Sequence, residues 1–266
     1  MPQIYFSLTA GRSGSGWLAK FLSANLDVNA IHEPIAIEDF GTRMPEVRQL
    51  RSFNTYGSNE EIQAFWQHKL DALPKDINYA ETNHTLGKCG LIEALAHHPR
   101  NSDATVIVLR RDLARQCASY VNRHDFILIS TLWQWFLAPD YPNRIVNAEP
   151  FLKMGQLGAA IWYALEMECR QTYYERCYGD RIHFVNAQLE DVTQPAGAKQ
   201  LLTDLGVDRT PILPPKTNAN SVASSEELVE KIDTVIRTSQ FDPESLVSQY
   251  IALRGSLDMA ERRAAA

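Results

Sequence analysis

The chain of 266 residues has no apolar stretch long enough to cross a bilayer. Its richest run, Phe126–Ala138, stops short of the roughly 20 residues that a spanning helix needs. A basic region leading into an apolar run is also missing at the amino terminus, which enters a β-prone segment at once. No secretory leader is therefore expected, and the cytoplasm is the expected compartment. Cysteine is scarce, and Cys89, Cys117, Cys169 and Cys177 show no paired metal-ligand spacing, so they read as reduced core residues. Positive charge is not in excess. A net charge of -6 argues against nucleic acid as a general partner, although a local basic pocket is compatible with it. No repeat or low-complexity block breaks the chain, and 45% hydrophobic residues suffice for a sizeable core. The length admits one large α/β domain or two small ones, and 1–266 is read as one.

What is present is organised around Ile4–Leu22. Ile4, Phe6 and Leu8 alternate with smaller or polar residues, as in a strand. Ala10–Gly16 is too rich in Gly and Ser for either regular structure and must turn. From Trp17 the apolar residues Trp17, Leu18, Phe21 and Leu22 mark one face of a helix. Strand, Gly/Ser loop and helix N-terminus together make an anion cradle, because the first helical N–H groups lack internal partners and the macrodipole adds positive charge. Gly11, Gly14 and Gly16 admit a close approach, Ser13 and Ser15 offer hydroxyls, and Arg12 supplies a fixed charge.

The loop lacks two residues of the nucleotide-binding pattern GxxxxGK[ST]. Gly11 and Gly16 fit its glycines, but Trp17 and Leu18 stand where Lys and Ser/Thr belong. Those two residues reach the outer phosphates and hold Mg²⁺ in nucleotide hydrolases and kinases. A phosphate ester held without a metal suits this loop better.

A second cluster follows the β-branched run Thr105–Leu109, with Arg110, Arg111 and Asp112 leading into a helix that carries Ser119. Asp112 is placed to cap that helix. Arg grips a dianion through paired hydrogen bonds.

With these two segments the chain resembles the sulfotransferase superfamily, whose members bind 3′-phosphoadenosine 5′-phosphosulfate (PAPS). Cytosolic members carry a Pro-Lys-Ser-Gly-Thr-Thr-Trp loop; tyrosyl-protein and carbohydrate members often carry Pro-Arg-Ser-Gly-Thr. Arg12-Ser13-Gly14-Ser15-Gly16-Trp17 matches with two changes in that core, Ser15 keeping a hydroxyl and Gly16 losing one, and Gly11 replaces the Pro. The second signature is a strand ending in Arg-Asp with a Ser eight residues after the Arg, as at Arg111 and Ser119, with Leu113 where Pro is usual. The resemblance implies that both segments hold PAPS, with the 3′-phosphate at Arg111 and Ser119. It covers the first half of the chain by motif and the rest by order of elements. Leu189-Glu190-Asp191 keeps an acidic pair but loses the Tyr of a family Tyr-Glu-Asp, which puts an adenine contact there in doubt. The late Arg-Lys-Gly segment of cytosolic enzymes is absent; Lys216, in Lys216-Thr217-Asn218, stands in for it by position, against an ordinary loop.

The resemblance also implies two positions for the base. A Glu after the second strand serves in tyrosyl-protein and heparan-type enzymes, and Glu33 stands there in His32-Glu33-Pro34. A His past the third strand serves in cytosolic enzymes, and His84 fits. Glu33 is preferred, then His84, then Glu81; each has a bland alternative as a solvated or backbone-satisfying residue. The other histidines read as structural. Trp133, Trp135, Phe136, Tyr141, Trp162 and Tyr163 form either a packed core or an acceptor pocket.

The expected architecture is α/β: about five mostly parallel strands flanked by helices in a P-loop-like arrangement. Strands are expected over Val28–His32, Ile77–Glu81 and Arg181–Val185, helices over Asn59–Leu73, Leu91–His97, Leu113–Arg123, Ile127–Leu137, Gln156–Tyr178, Ala196–Leu205, Ser224–Thr238 and Pro243–Arg262, and loops over Phe40–Ser58 and Asp140–Pro150. The expected function is sulfuryl transfer from PAPS to a hydroxyl of a glycan, lipid or small molecule, without a metal. A P-loop kinase using ATP-Mg and a non-catalytic nucleotide- or sulfated-ligand-binding member are the alternatives.

Overall fold

The structure is a computed structural model, and it describes residues 3–127, 135–215 and 225–265, with side chains to residue 255. β1 (Ile4–Leu8) is the middle strand of an all-parallel sheet of order β2-β3-β1-β4-β5, with β2 (Ile31–His32), β3 (Tyr79–Thr82), β4 (Ala104–Arg110) and β5 (His183–Gln188). Successive strand residues face opposite sides. Ile4, Phe6, Leu8, Val106 and Val108 enter one apolar layer, and Tyr5, Ile107, Leu109, Val185 and Ala187 the other. The first layer is covered mainly by α3 (Glu60–Asp71), α5 (Leu91–Ala96), α6 (Leu113–Asn122) and α8 (Gly155–Tyr178); the second by α1 (Ser15–Asn25) and α10 (Pro195–Asp204). α2 (Val47–Tyr56), α4 (His84–Lys88), α7 (Glu149–Leu152), α9 (Leu189–Val192), α11 (Glu226–Thr238) and α12 (Pro243–Ala265) complete the α-helices of the described residues. None of these helices is long and apolar enough to cross a membrane.

From β1 the chain moves towards β3 and β2, whereas β4 and β5 lie on the other side of β1. The connections leaving β1 and β4 therefore diverge, which opens a crevice at their carboxyl ends, where open α/β sheets take ligands. The Gly/Ser loop leaves β1 there, and Arg111 leaves β4 there.

Several expectations need correction. Phe40–Ser58 is not all loop: α2 lies within it, started by the Glu46 amide donating to Gln49 Oε1 (2.8 Å) and burying Leu50 and Phe53. β2 is only two residues long, because Glu33 adopts φ 47° and Pro34 follows. The final strand runs to Gln188 rather than ending at Val185. Pro150 sits in the first turn of α7 rather than in the loop before it. The expected helix Ile127–Leu137 falls largely outside the described residues. Asn59 does cap α3, accepting from the Ile62 amide (3.2 Å), and Asp112 caps α6 through the Arg115 amide (2.8 Å). Phe136, Tyr141, Trp162 and Tyr163 are buried core residues and Trp135 packs against them; Trp133 is outside the described residues.

Glu81 is fully buried in β3, and its carboxylate is occupied. Lys69 Nζ donates to Oε1 (2.9 Å) and Tyr79 Oη to Oε2 (2.6 Å). Lys69 also donates to the Arg43 carbonyl (2.6 Å), and burial lowers its pKa while Glu81 opposes the shift. Such a pair costs desolvation but is worse broken. Replacing Lys69 by Met is expected to cost about 3–5 kcal/mol in urea unfolding, and adding Glu81→Leu to recover part of that loss; a double variant no more stable than the single one would contradict the pairing.

Candidate functional site

The loop between β1 and α1 is held from outside by side chains, one carbonyl after another. The Ala10 carbonyl accepts from Thr9 Oγ1 (3.2 Å) and from Ser13 Oγ. The Gly11 carbonyl accepts from Gln116 Nε2 (2.8 Å) and from the Tyr120 hydroxyl, both on α6. The Arg12 carbonyl accepts from Arg111 Nη1 (2.8 Å). A trans peptide points its N–H opposite to its C=O, so the N–H groups of Gly11, Arg12 and Ser13 turn away from these donors. Arg12 (φ 64°) and Gly14 (φ 90°) are left-handed, and successive amides in such a turn form an anion-binding concavity. Gly14 is also the N-cap of α1 and supplies no side-chain cap. Its positive φ is what favours glycine there, and an added Cβ would press on Leu189 Cδ1 (2.5 Å), the tip of a half-buried side chain.

Arg12, Arg111 and Ser119 come together here. Arg12 Nε donates to Ser119 Oγ (3.0 Å). Arg111 reaches the loop while its neighbour Arg110 is turned to the other side, paired with Glu168 (2.8 Å) and Glu175 (2.8 Å). Arg111 Nε is buried without a hydrogen-bond partner among the described residues, with Glu190 Oε1 4.0 Å away. Burial lowers the pKa of both loop-facing guanidiniums; for Arg12 the charges of Arg123 and Arg111 add to this, whereas Asp125 opposes it. Two half-buried cations that disfavour each other's charge make a site that an anion stabilises.

The expected hydroxyl and aromatic contributions are distributed differently. Ser13 is buried, and its hydroxyl is spent on the Ala10 carbonyl and Thr9. The Ser15 carbonyl accepts from Thr82 Oγ1 (2.9 Å), which ties the start of α1 to β3. Trp17 stacks on Phe21 and donates from Nε1 to the Pro214 carbonyl (3.2 Å). Trp17 and Leu18 are both buried, so the positions of the Lys and Ser/Thr in the nucleotide pattern belong to the core. Lys216 lies outside the described residues. Gly16 lines an open groove of about 540 Å³ beside α1, with Ala19, Lys20, Ser23, Ala24, Ala30 and His32.

Glu33 and His84, two alternatives for one role, are partners. His84 Nδ1 lies 2.9 Å from Glu33 Oε1, and His32 Nε2 lies 3.9 Å from Oε2. A carboxylate accepts, so His84 Nδ1 is the donor in this hydrogen bond; Nε2 is buried and has no partner among the described residues. The His84 ring lies against Gly11, with Cγ 3.7 Å from where a Cβ would stand, and 5.6 Å from the Phe136 ring centroid. Glu33 holds φ 47° at its own cost, about 1–2 kcal/mol for a residue with a Cβ. Burial raises its pKa, but the hydrogen bond from His84 and the charges of His84, His32 and Arg12 outweigh this, and the net value lies below the ordinary one.

Sequence reasoning missed Gln116 and Tyr120. They stand three residues before and one after Ser119, so one face of α6 presents all three to the loop. A Gln on an otherwise buried helix face was the available signal.

Protein-family models and curated proteins yield no match to the chain. Among solved structures, it is similar to a sulfotransferase from Alicyclobacillus acidocaldarius. The two share 14% identity over 93% of this chain and 96% of that one, with a TM-score of 0.49.

Because the Glu33 pKa lies below its ordinary 4.5, the stability this carboxylate contributes is present above that value and lost as pH falls through the lowered pKa. Glu33→Gln is therefore expected to be less stable than the parent at pH 7, with the gap closing below pH 4. A gap that stays constant between denaturation curves at pH 7 and pH 3.5 would show that Glu33 gains nothing from His84.

Proposed function

We propose that the protein is a PAPS-dependent sulfotransferase acting on a hydroxyl of a glycan, lipid or small-molecule acceptor. The observation that carries this reading is the meeting of Arg12, Arg111 and Ser119 at a loop whose first three carbonyls, those of Ala10, Gly11 and Arg12, are held by side chains. The Arg111 Nε, buried with no hydrogen-bond partner among the described residues, fits an anionic ligand beside the loop.

PAPS supplies an activated sulfuryl group on its 5′-phosphate. In this reading the loop N–H groups and Arg12 hold that phosphate and stabilise the charge that grows on it as the S–O bond breaks. Arg111 and Ser119 hold the 3′-phosphate, and the Arg12–Ser119 hydrogen bond is exchanged for ligand contacts. Glu33, the more exposed of the pair, takes the acceptor proton through Oε2, while His84 fixes Oε1 and so the direction of the carboxylate. The sulfuryl group carries less negative charge than a phosphoryl group, and Arg12 with the loop amides supplies the positive charge that the transfer needs.

A second reading of the pair has its own support: the buried, unpartnered Nε2 makes His84 the proton acceptor, with Glu33 orienting it. A kinase reading fails on Trp17 and Leu18, which are core residues where ATP binding needs Lys and a metal-holding hydroxyl.

Turnover of labelled sulfate from PAPS to an acceptor panel tests both assignments. Glu33→Gln is expected to lower kcat by about 10²–10⁴ and His84→Asn by less, with the pH profile displaced. The reverse order assigns the base to His84. Parent-like rates in both variants would remove the pair from the chemistry, and no transfer by the parent protein would favour a non-catalytic binding role.

A further inference from the structure

The Gly11 carbonyl accepts two side-chain hydrogen bonds from one helix, α6. Gln116 is 3% exposed and Tyr120 is fully buried, yet both spend their polar atoms on this one oxygen. Tyr120 is wedged between Phe126, Phe136 and Tyr163, with ring centroids 5.4, 5.8 and 5.9 Å away, so its hydroxyl has little freedom to leave. Residues 11 and 12 are also where the chain must enter the left-handed region with an arginine, which a free loop avoids.

We propose that Gln116 and Tyr120 are positioning residues for the anion-binding loop. By anchoring the Gly11 carbonyl to α6, they turn the next amide, Arg12 N–H, to the concave side and hold Arg12 at its positive φ. They touch neither ligand nor reacting atoms; they act through the orientation of the peptide between Gly11 and Arg12. The same helix carries Ser119, so one rigid element sets the distance between the loop and Ser119. The part concerning the loop's conformation stands on its own. The part concerning ligand affinity rests on the reading of the site as a PAPS site.

The test uses the full chain and two readouts. Amide exchange of residues 10–16, compared with β4, is measured without ligand for Gln116→Leu, Tyr120→Phe and, as a matched control, Tyr163→Phe, whose buried hydroxyl has no partner among the described residues. Loss of one hydrogen bond on the loop is expected to speed loop exchange roughly five- to tenfold in the first two variants, with β4 unchanged and the control like the parent. Calorimetry with adenosine 3′,5′-bisphosphate and with adenosine 5′-phosphate is then expected to show a similar fold loss for both ligands, because the defect lies at the loop. Loop exchange that stays at the parent rate in both variants, or rises equally in β4 and in the control, overturns the positioning role. Faster loop exchange in a protein that binds neither nucleotide supports that role and overturns the PAPS reading instead.

Discussion

Everything around the crevice depends on where three consecutive carbonyls go. A short loop after a central strand must satisfy the C=O groups of Ala10, Gly11 and Arg12, and each finds a side-chain donor behind the loop: Thr9 and Ser13, Gln116 and Tyr120, and Arg111. The donors come from the loop itself, from α6 and from the end of β4. The peptide plane does the rest, sending the amides the other way. Function at this site thus begins as backbone hydrogen-bond accounting.

The same constraint links elements distant in sequence. α6 begins at Asp112, which caps it, and Asp112 follows Arg111, which leaves β4 towards the loop. The Asp112 amide in turn faces the Glu190 carboxylate after β5 (3.3 Å), so the ends of β4 and β5 meet beside Arg111. On the other flank, Thr82 at the end of β3 donates to the Ser15 carbonyl, and His84 packs on Gly11. The parallel sheet matters because it brings five strand ends to one edge, where β2 contributes only a two-residue strand before Glu33 departs in a left-handed turn.

Much of this was legible in the residues. Alternation in Ile4–Leu8 and the β-branched run before Arg110 marked the two central strands, and Asn59 and Asp112 announced helix starts through their cap chemistry. Ser119 is paired with Arg111 by the resemblance to the sulfotransferase second signature. The rest depended on tertiary information. α2 hid in a polar stretch because only Leu50 and Phe53 mark its buried face, with Gln49 and Asn54 buried beside them. Arg110 and Arg111 are equivalent on paper, and only the strand's facing sends one to Glu168 and Glu175 and the other to the loop. Glu33 and His84 looked like rivals because they are far apart in sequence; the short second strand beside β3 makes them neighbours. Glu81 looked like a third candidate until Lys69 and Tyr79 were seen to occupy it.

The claim beneath the account is that Arg12 and Arg111 with Ser119 form one site for both phosphates of a single nucleotide. Titration calorimetry of the whole protein with adenosine 3′,5′-bisphosphate, with and without Mg²⁺, tests it directly. The account predicts binding that does not depend on the metal, and at least a tenfold loss of affinity when Arg111 is replaced by Ala, about what one charge-assisted hydrogen bond is worth. Equal affinity for the bisphosphate in the parent and in Arg111→Ala, or binding of ATP only in the presence of Mg²⁺, would contradict it.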